Sequence, residues 1–416
     1  MTARTAPLGA LFTVPVFFGL RVGSGLLLLK LSANFLPVDG FATFSQLLLF
    51  GALLNMIAVG GAQNGLIRQV AAAEDAGAIA RAQGAAFAIW LGALALLAIP
   101  LALASGAISV LLMGVRDHAG AVTAITLLSL IAGPAQIWCG ILTGRKMVTA
   151  SLTAQALGLF AGTALAAWMT MRGQAADAAI GFAAGSLVTL GVSFLLVSRL
   201  RIAWMAPHHL RDEIRKLLGY STAFVGVTSA TSLALFGLRS LYRETFGTTD
   251  LGFWLVANRI SDTSTQLLGL FMIQFFVPWF TAAKNAEERR KILLSSWVIA
   301  TAVMGSFLLV FSLVPDLLVR LLLSEAYIPA IGAIRTYMVG DMLRVWASLA
   351  MFTAFAMGRP GRYAAIEIGA ILLMAAITLV LMHLGDVRAP MIGYVGAYGT
   401  VAAIVTVLFL ARRRPL

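Results

Sequence analysis

The chain has 416 residues, of which 60% are hydrophobic and 11% are charged, and its 30 Lys and Arg exceed its 17 Asp and Glu to give a net charge of +13. An average globular protein carries about a quarter charged residues, so this composition excludes a water-soluble globule. A transmembrane helix needs about 20 residues, so the length allows about a dozen spans and excludes a large catalytic domain outside the bilayer. The single cysteine, Cys139, excludes an intramolecular disulfide.

Hydrophobic stretches recur along the chain and predict twelve transmembrane helices in two sets of six. The first set covers residues 7–31, 41–66, 83–104, 121–143, 149–171 and 178–198. The second set covers residues 219–241, 251–280, 292–315, 332–357, 363–383 and 391–411. We therefore predict an all-α integral membrane protein with a six-helix N-terminal lobe (1–198), a linker (199–218) and a pseudo-symmetric six-helix C-terminal lobe (219–416). The first stretch lacks a clear small-residue cleavage site, so we expect it to be retained.

The predicted linker has a helical pattern of its own. Leu210, Ile214 and Leu217 recur at i, i+4 and i+7 beside Arg211 and Arg215. This spacing predicts a short amphipathic helix at the membrane interface. We favour a linker whose apolar side lies on the bilayer over the alternative, a hinge strap between two mobile lobes.

Basic residues are concentrated on alternate loops of this topology. Nineteen Lys and Arg fall on one set of loops and five on the other. Because short cytoplasmic loops carry the excess of Lys and Arg, both termini are predicted to be cytoplasmic. The same charges are scattered over short segments with no aromatic residues between them, so we expect no nucleic-acid binding.

Glycines and two prolines bear on helix packing and helix shape. Several glycine pairs are four residues apart, a spacing that lets membrane helices approach closely. These pairs are Gly19 with Gly23, Gly61 with Gly65, Gly140 with Gly144, Gly158 with Gly162, and Gly181 with Gly185. Pro15 and Pro134 lie inside predicted spans, where a proline frees backbone carbonyls and permits a kink.

Nine Lys, Arg, Asp and Glu residues fall inside the predicted spans, where a charge near the bilayer centre costs at least about 2.5 kcal/mol. They are the basic residues Arg21, Lys30, Arg239, Arg259, Arg335 and Arg344 and the acids Asp262, Asp341 and Glu367. The helical rise of about 1.5 Å per residue places five of these residues deep in the membrane: Arg21, the pair Arg259 and Asp262, and the pair Asp341 and Arg344. Lys30, Arg239 and Arg335 lie near the outer boundary, where long side chains can reach the headgroups.

Two interpretations of these charges remain open. Asp262 can contact Arg259, and Asp341 can contact Arg344, so the pairs can simply hold helices together. Alternatively, the charges line a central cavity whose excess of cations selects an anion. Arg21, Arg259 and Arg344 could then bind phosphate oxygens through their planar guanidinium groups. We favour the cavity, because nine charges are more than packing alone explains.

The three acids within the spans have a second possible role. Asp262, Asp341 and Glu367 can form ion pairs or carry a coupling proton, and the sequence does not distinguish among them. Glu367 is predicted about one turn inside the cytoplasmic end of its span, where its side chain could also reach the headgroups.

Sequence signals for an enzyme, a metal or a cofactor are lacking. The four histidines are at loops or span ends, with no metal-ligand spacing, and no phosphate-binding glycine loop is found. A membrane-embedded glycan enzyme would need paired catalytic acids on the outer face, but Asp39, Asp117 and Asp177 are in separate loops. We therefore expect a non-enzymatic protein with no catalytic residue, no metal and no cofactor.

Three stretches resemble the Wzx flippases, and among these the enterobacterial common antigen (lipid III) type, of the multidrug/oligosaccharidyl-lipid/polysaccharide exporter superfamily. The stretches are RVGSGLLLLKL (21–31) with Phe41 to Leu47, FWLVANRISD (253–262), and VGDMLRVWASLAMFTAFAMGRPGRYAAI (339–366). The resemblance implies a cationic pair at Arg21 and Lys30 and an eighth-helix motif at Ser261 and Asp262. It also implies a tenth-helix motif at Asp341 and Arg344, while Arg259 makes this chain more cationic than the family pattern.

The resemblance further implies a function in polysaccharide biosynthesis, such as that of O-antigen, lipopolysaccharide or enterobacterial common antigen. A monomeric protein of the bacterial inner membrane would flip an undecaprenyl-pyrophosphate-linked oligosaccharide by alternating access. Its partners would be this glycan, membrane lipid, and a glycan polymerase or chain-length regulator. The expected substrate-binding residues are Arg21, Lys30, Arg239, Arg259 and Arg344. The alternative is an ion-coupled small-molecule exporter of the same superfamily.

Overall fold

The computed structural model describes residues 8–59, 61–73, 75–200, 210–272, 276, 279–280, 283, 285–357 and 359–412. Within these ranges the chain forms sixteen α-helices and one 3₁₀-helix, and it contains no β-strand. The all-α fold predicted from the recurring hydrophobic stretches is confirmed. Eight stretches of the described chain are long and apolar enough to cross a membrane, judged by length and composition.

The helices of the first half have the following bounds. They are α1 (Leu8–Phe35), α2 (Val38–Ala58), α3 (Gln63–Ala72), α4 (Ala76–Leu103), α5 (Ser105–Met113), α6 (Ala119–Ile131), α7 (Gly133–Gly144), α8 (Val148–Met171) and α9 (Ala175–Ser198).

The second half continues the series. It contains α10 (Arg211–Phe246), α11 (Thr248–Phe271), α12 (Ala286–Leu313), α13 (Pro315–Leu322), the 3₁₀-helix (Glu325–Ala330), α14 (Ile331–Ala356), α15 (Pro360–His383) and α16 (Ala389–Arg412). Eleven of the twelve predicted spans coincide with one of the long helices or with a helix pair. The span predicted at 251–280 begins within α11, and its residues 273–275 and 277–278 are outside the described ranges.

Two of the predicted spans are interrupted. The span predicted at 41–66 ends with α2 at Ala58, and helix resumes only at Gln63. Gly61 lies in the gap with φ of 65°, a left-handed conformation that suits glycine and breaks a helix. The span predicted at 121–143 divides into α6 and α7 at Ala132, just before Pro134. The predicted kink at this proline is confirmed, because its ring excludes a regular preceding turn.

The chain divides into two compact units, called unit 1 (Met1–Ser229) and unit 2 (Ala230–Leu416). Each unit has its own apolar core. In unit 1 the core includes Leu66, Trp138 and Ile141. In unit 2 a core cluster includes Phe276, Val345 and Leu349.

The linker differs from its prediction. The segment that we expected to lie on the bilayer is the start of α10, which runs without interruption to Phe246. Leu210 and Leu217 are 3% and 0% exposed and pack in one cluster with Leu66 and Trp138 of unit 1. The prediction that the apolar side of this segment lies on the bilayer is therefore wrong, because protein buries the apolar residues of the amphipathic pattern. Residues 201–209 of the predicted linker are outside the described ranges.

Close glycine contacts hold α8 against α9. A Cβ atom added to Gly162 would lie 2.6 Å from the carbonyl oxygen of Phe182, and one added to Gly185 would lie 2.4 Å from that of Gly158. Both obstacles are backbone atoms, which cannot rotate away. The close approach predicted from these glycine pairs is confirmed, whereas Gly19 and Gly23 have no such neighbour.

We expect Gly185→Ala to destabilise unit 1 by about 1–3 kcal/mol, because the new methyl group overlaps the backbone of α8. Gly191→Ala on the same helix is the matched control, since a Cβ at that position meets no atom within 4 Å. Thermal unfolding of both variants in detergent tests this. Equal melting temperatures for the two variants contradict the packing described here.

Candidate functional site

Unit 2 contains a cluster of charged and hydroxyl side chains inside its apolar helices, here called the polar network. It consists of Arg239 on α10, Asn258, Ser261 and Asp262 on α11, Asp341 and Arg344 on α14, Glu367 on α15, and Tyr394 and Tyr398 on α16. Helical spacing of three or four residues places the members on each helix on one face. The helices α11, α14, α15 and α16 share one set of hydrogen bonds, and α10 and α11 share a second set.

Asp341 is the most buried acid of the network, with 0% of its surface exposed. Its Oδ1 atom accepts hydrogen bonds from the Ser261 hydroxyl at 2.5 Å and from the Tyr394 hydroxyl at 2.8 Å. Gly340 makes the second bond possible, because a Cβ atom there would lie 2.3 Å from the Tyr394 ring. Asp341 therefore joins α11, α14 and α16 through hydroxyl donors.

Arg344 forms an ion pair with Glu367, with 3.1 Å between its guanidinium and Oε1. The Tyr398 hydroxyl donates to the same Oε1 atom at 3.2 Å, and the guanidinium carbon lies 5.1 Å from the centre of the Tyr398 ring. Arg344 also donates to the Tyr394 hydroxyl at 3.5 Å. The Arg344 side chain is 29% exposed, so these contacts fix the guanidinium and leave it partly accessible.

These contacts change two expectations. Among the described residues, the ion-pair partner of Arg344 is Glu367 on the next helix, where the i, i+3 spacing predicted Asp341. Glu367 itself is 8% exposed, so the expectation that it could reach the headgroups is wrong. The favourable contacts with Arg344 and Tyr398 offset the cost of burying this carboxylate.

Arg239 forms the second branch of the network. It is 4% exposed and donates to the amide oxygen of Asn258, whose amide nitrogen donates to Asp262 at 3.3 Å. Its guanidinium also lies 5.7 Å from the Trp254 ring. The prediction that Arg239 reaches the headgroups at the outer boundary is therefore wrong. The Trp254 indole in turn donates to the Tyr337 hydroxyl at 2.7 Å.

The other predicted residues lie apart from these contacts or at their edge. Arg259 on α11 is partly buried. Arg335 on α14 is exposed and donates to the backbone oxygen of Ser312 at 3.1 Å. Arg21 and Lys30 are on α1 of unit 1, where Arg21 is exposed and Lys30 is partly buried.

Sequence reasoning missed the aromatic members of the site. Tyr394 and Tyr398 are one helical turn apart on α16, and each contacts a charged residue of another helix. A tyrosine inside a membrane helix has a hydroxyl that needs a hydrogen-bond partner. The i, i+4 spacing of these two tyrosines could therefore have predicted that α16 contributes to a polar site. Asn258, Trp254 and Tyr337 were missed in the same way. Within the described ranges, no three His, Cys, Asp or Glu side chains come together as metal ligands.

Comparison with known proteins shows where this fold occurs. No protein-family model matches the chain. The lipid III flippases of Escherichia coli K12 and Shigella flexneri are each 26% identical to it over 342 residues, which is 79% of this chain and 80% of theirs. The chain is also similar to an inward-facing MATE multidrug transporter of the MOP superfamily, with TM-score 0.71, 16% identity and coverage of 95% and 94% of the two chains.

A further solved structure, the lipid II flippase MurJ in an inward closed conformation, has TM-score 0.74 and 10% identity over 97% of this chain and 87% of its own. The chain is thus similar to the lipid III flippases in sequence and to a MATE transporter and MurJ in fold. The resemblance found in the sequence is confirmed. The polar network lies in helices of a fold that matches these solved structures over nearly the whole chain.

We expect Arg344→Met to destabilise the protein by about 1–3 kcal/mol, because it leaves the buried Glu367 carboxylate with only Tyr398. The double variant Arg344→Met with Glu367→Gln should regain most of the loss, since it removes the unpaired charge. Thermal unfolding in detergent measures both effects. A double variant no more stable than Arg344→Met shows that the ion pair does not couple the two residues.

Proposed function

We propose that this protein flips a lipid-linked oligosaccharide, carried on undecaprenyl pyrophosphate, from the inner to the outer leaflet of the bacterial cytoplasmic membrane. The lipid III flippases support this proposal as relatives that match four-fifths of the chain. The observation that carries it is Arg344, a cation within an apolar helix that is fixed by Glu367 and yet remains partly exposed.

The chemistry of the proposed cargo explains why such a cation is needed. A pyrophosphate cannot cross hydrocarbon without compensation, while its polyprenyl tail can stay in lipid. Arginine suits this task because its planar guanidinium binds two phosphate oxygens at once and stays charged. Tyr394 and Tyr398 hold the guanidinium from one side, so its orientation is set before the cargo arrives.

The proposed roles differ among the predicted basic residues. Arg344, Arg259, Arg21 and Lys30 are proposed to contact the pyrophosphate or the sugars next to it, because each has an exposed or partly exposed side chain. Arg239 is proposed instead to position α11, because its guanidinium is buried against Asn258.

Glu367 competes with the cargo in this proposal, since both are anions that bind Arg344. Arrival of pyrophosphate would weaken the ion pair, and departure of the cargo would restore it. This competition would allow Arg344 to bind the pyrophosphate and then to release it. Asp262, Asp341 and Glu367 are also the proposed carriers of any coupling ion.

A second candidate is an ion-coupled small-molecule exporter, which the similarity to MATE multidrug transporters favours at the level of fold. The excess of basic residues within the spans disfavours a cationic drug as its substrate.

We further propose that both termini are cytoplasmic, as the loop charges indicate. We also propose that the protein is a monomer without enzymatic activity. Its proposed protein partner is a glycan polymerase or a chain-length regulator.

Deleting the gene separates the two candidates. We expect a polyprenyl-pyrophosphate-linked glycan to accumulate on the inner leaflet, detected by mass spectrometry of extracted lipids, and surface glycan to fall. An exporter of small molecules gives a different result: unchanged lipid-linked glycan together with greater sensitivity to toxic compounds.

Single substitutions test the proposed contacts. Arg21→Ala and Arg344→Ala should each abolish glycan export in a complementation assay with quantified surface glycan. Because Arg344→Ala also leaves Glu367 unpaired, Arg344→Met with Glu367→Gln should be made in parallel; it should fold but not export. Arg335→Ala is the matched control on α14, since that side chain is exposed and bonded to the backbone. Normal surface glycan in both Arg21 and Arg344 variants excludes these residues as contacts.

A further inference from the structure

Unit 2 contains a second feature, an open cavity of about 410 Å³ between α14, α15 and α16. Its walls include Ala350 and Ala354 of α14, Ile366 and Gly369 of α15, and Ile404 of α16. Small residues on two helices leave the space, and Ile404 is 54% exposed, so the cavity opens outward as a groove. Glu367, next to Ile366 in sequence, turns to the polar network and does not line the groove.

The groove has a basic residue at one end. Arg362 lines it and is the second residue of Gly361–His383, a helical stretch long and apolar enough to cross a membrane, so this end lies at the membrane boundary. The Arg362 side chain is exposed, and no carboxylate of the described chain forms an ion pair with it. The first turn of α15, with its positive dipole end, lies at the same place. Two independent sources of positive potential therefore meet at the mouth of an apolar groove.

The length of the groove matches one leaflet of a bilayer. From Arg362 to Leu373 the groove follows α15 for about 16 Å, at the helical rise of about 1.5 Å per residue. Half of a hydrocarbon core of about 30 Å is about 15 Å. An acyl chain that begins at headgroup level thus fits the groove from its mouth to its end, whereas a polyprenyl chain is far longer.

We propose that this groove binds an anionic phospholipid, with its phosphate on Arg362 and one acyl chain along Ile366, Gly369 and Leu373. Basic pockets between transmembrane helices are suited to such headgroups. The groove selects for the negative charge of the lipid headgroup as well as for the acyl chain. Arg359, which is also exposed and lies three residues before Arg362, adds a second positive charge near the mouth. This site is separate from the polar network and does not depend on the flippase function.

Native mass spectrometry of the full-length protein tests the site after delipidation and titration with phosphatidylglycerol or phosphatidylcholine. We expect preferential retention of phosphatidylglycerol. Arg362→Gln should lower that affinity about tenfold through loss of a charge-assisted hydrogen bond. Gly369→Leu should lower it as well by filling the groove, since a Cβ atom at this position meets no protein atom within 4 Å.

Two variants at the other end of α14 serve as matched controls. Arg335→Gln removes an exposed arginine, and Gly332→Leu adds the same side chain at a glycine that also has open space around it. Both should keep the phosphatidylglycerol preference. Equal retention of the two lipids by the wild type overturns the proposal, and so does wild-type affinity in both groove variants. Displacement of phosphatidylglycerol by undecaprenyl phosphate, abolished by Gly369→Leu, would assign the groove to the polyprenyl chain and also overturn it.

Discussion

The ion pair between Arg344 and Glu367 is the interaction on which the proposed site depends. A lone charge inside a membrane helix is costly, and a buried ion pair recovers that cost only when other hydrogen bonds complete it. Here Tyr398 donates to the carboxylate, and Tyr394 accepts from the guanidinium. The result is a cation that is stable in an apolar unit and still partly exposed to an incoming anion.

The other members of the network support this arrangement indirectly. The Tyr394 hydroxyl donates to Asp341 and accepts from Arg344, so both an acid and an arginine set the position of this tyrosine. Gly340 gives that ring the room it needs. Ser261 extends the contacts to α11. None of these residues is proposed to contact the cargo. We therefore expect a substitution at any of them to change cargo binding through a shift in the position of Arg344.

The sequence predicted the helices better than it predicted the partners of the charges. Apolar stretches of about 20 residues depend on local composition alone, so the spans and the break at Pro134 followed directly. The partner of Arg344 could not be derived, because Glu367 is on a different helix and only tertiary packing brings them together. The amphipathic pattern from Leu210 to Leu217 misled for a related reason: protein or lipid can cover the same apolar face, and here protein does.

Direct binding of the cargo headgroup tests the central claim most closely. The purified protein should bind undecaprenyl pyrophosphate more tightly than uncharged undecaprenol, measured by native mass spectrometry in the same detergent. That preference should disappear in the folded double variant Arg344→Met with Glu367→Gln and persist in Arg335→Ala. Equal binding of the two lipids by the wild type, or an unchanged preference in the double variant, contradicts a role for Arg344 as the cation that receives the pyrophosphate.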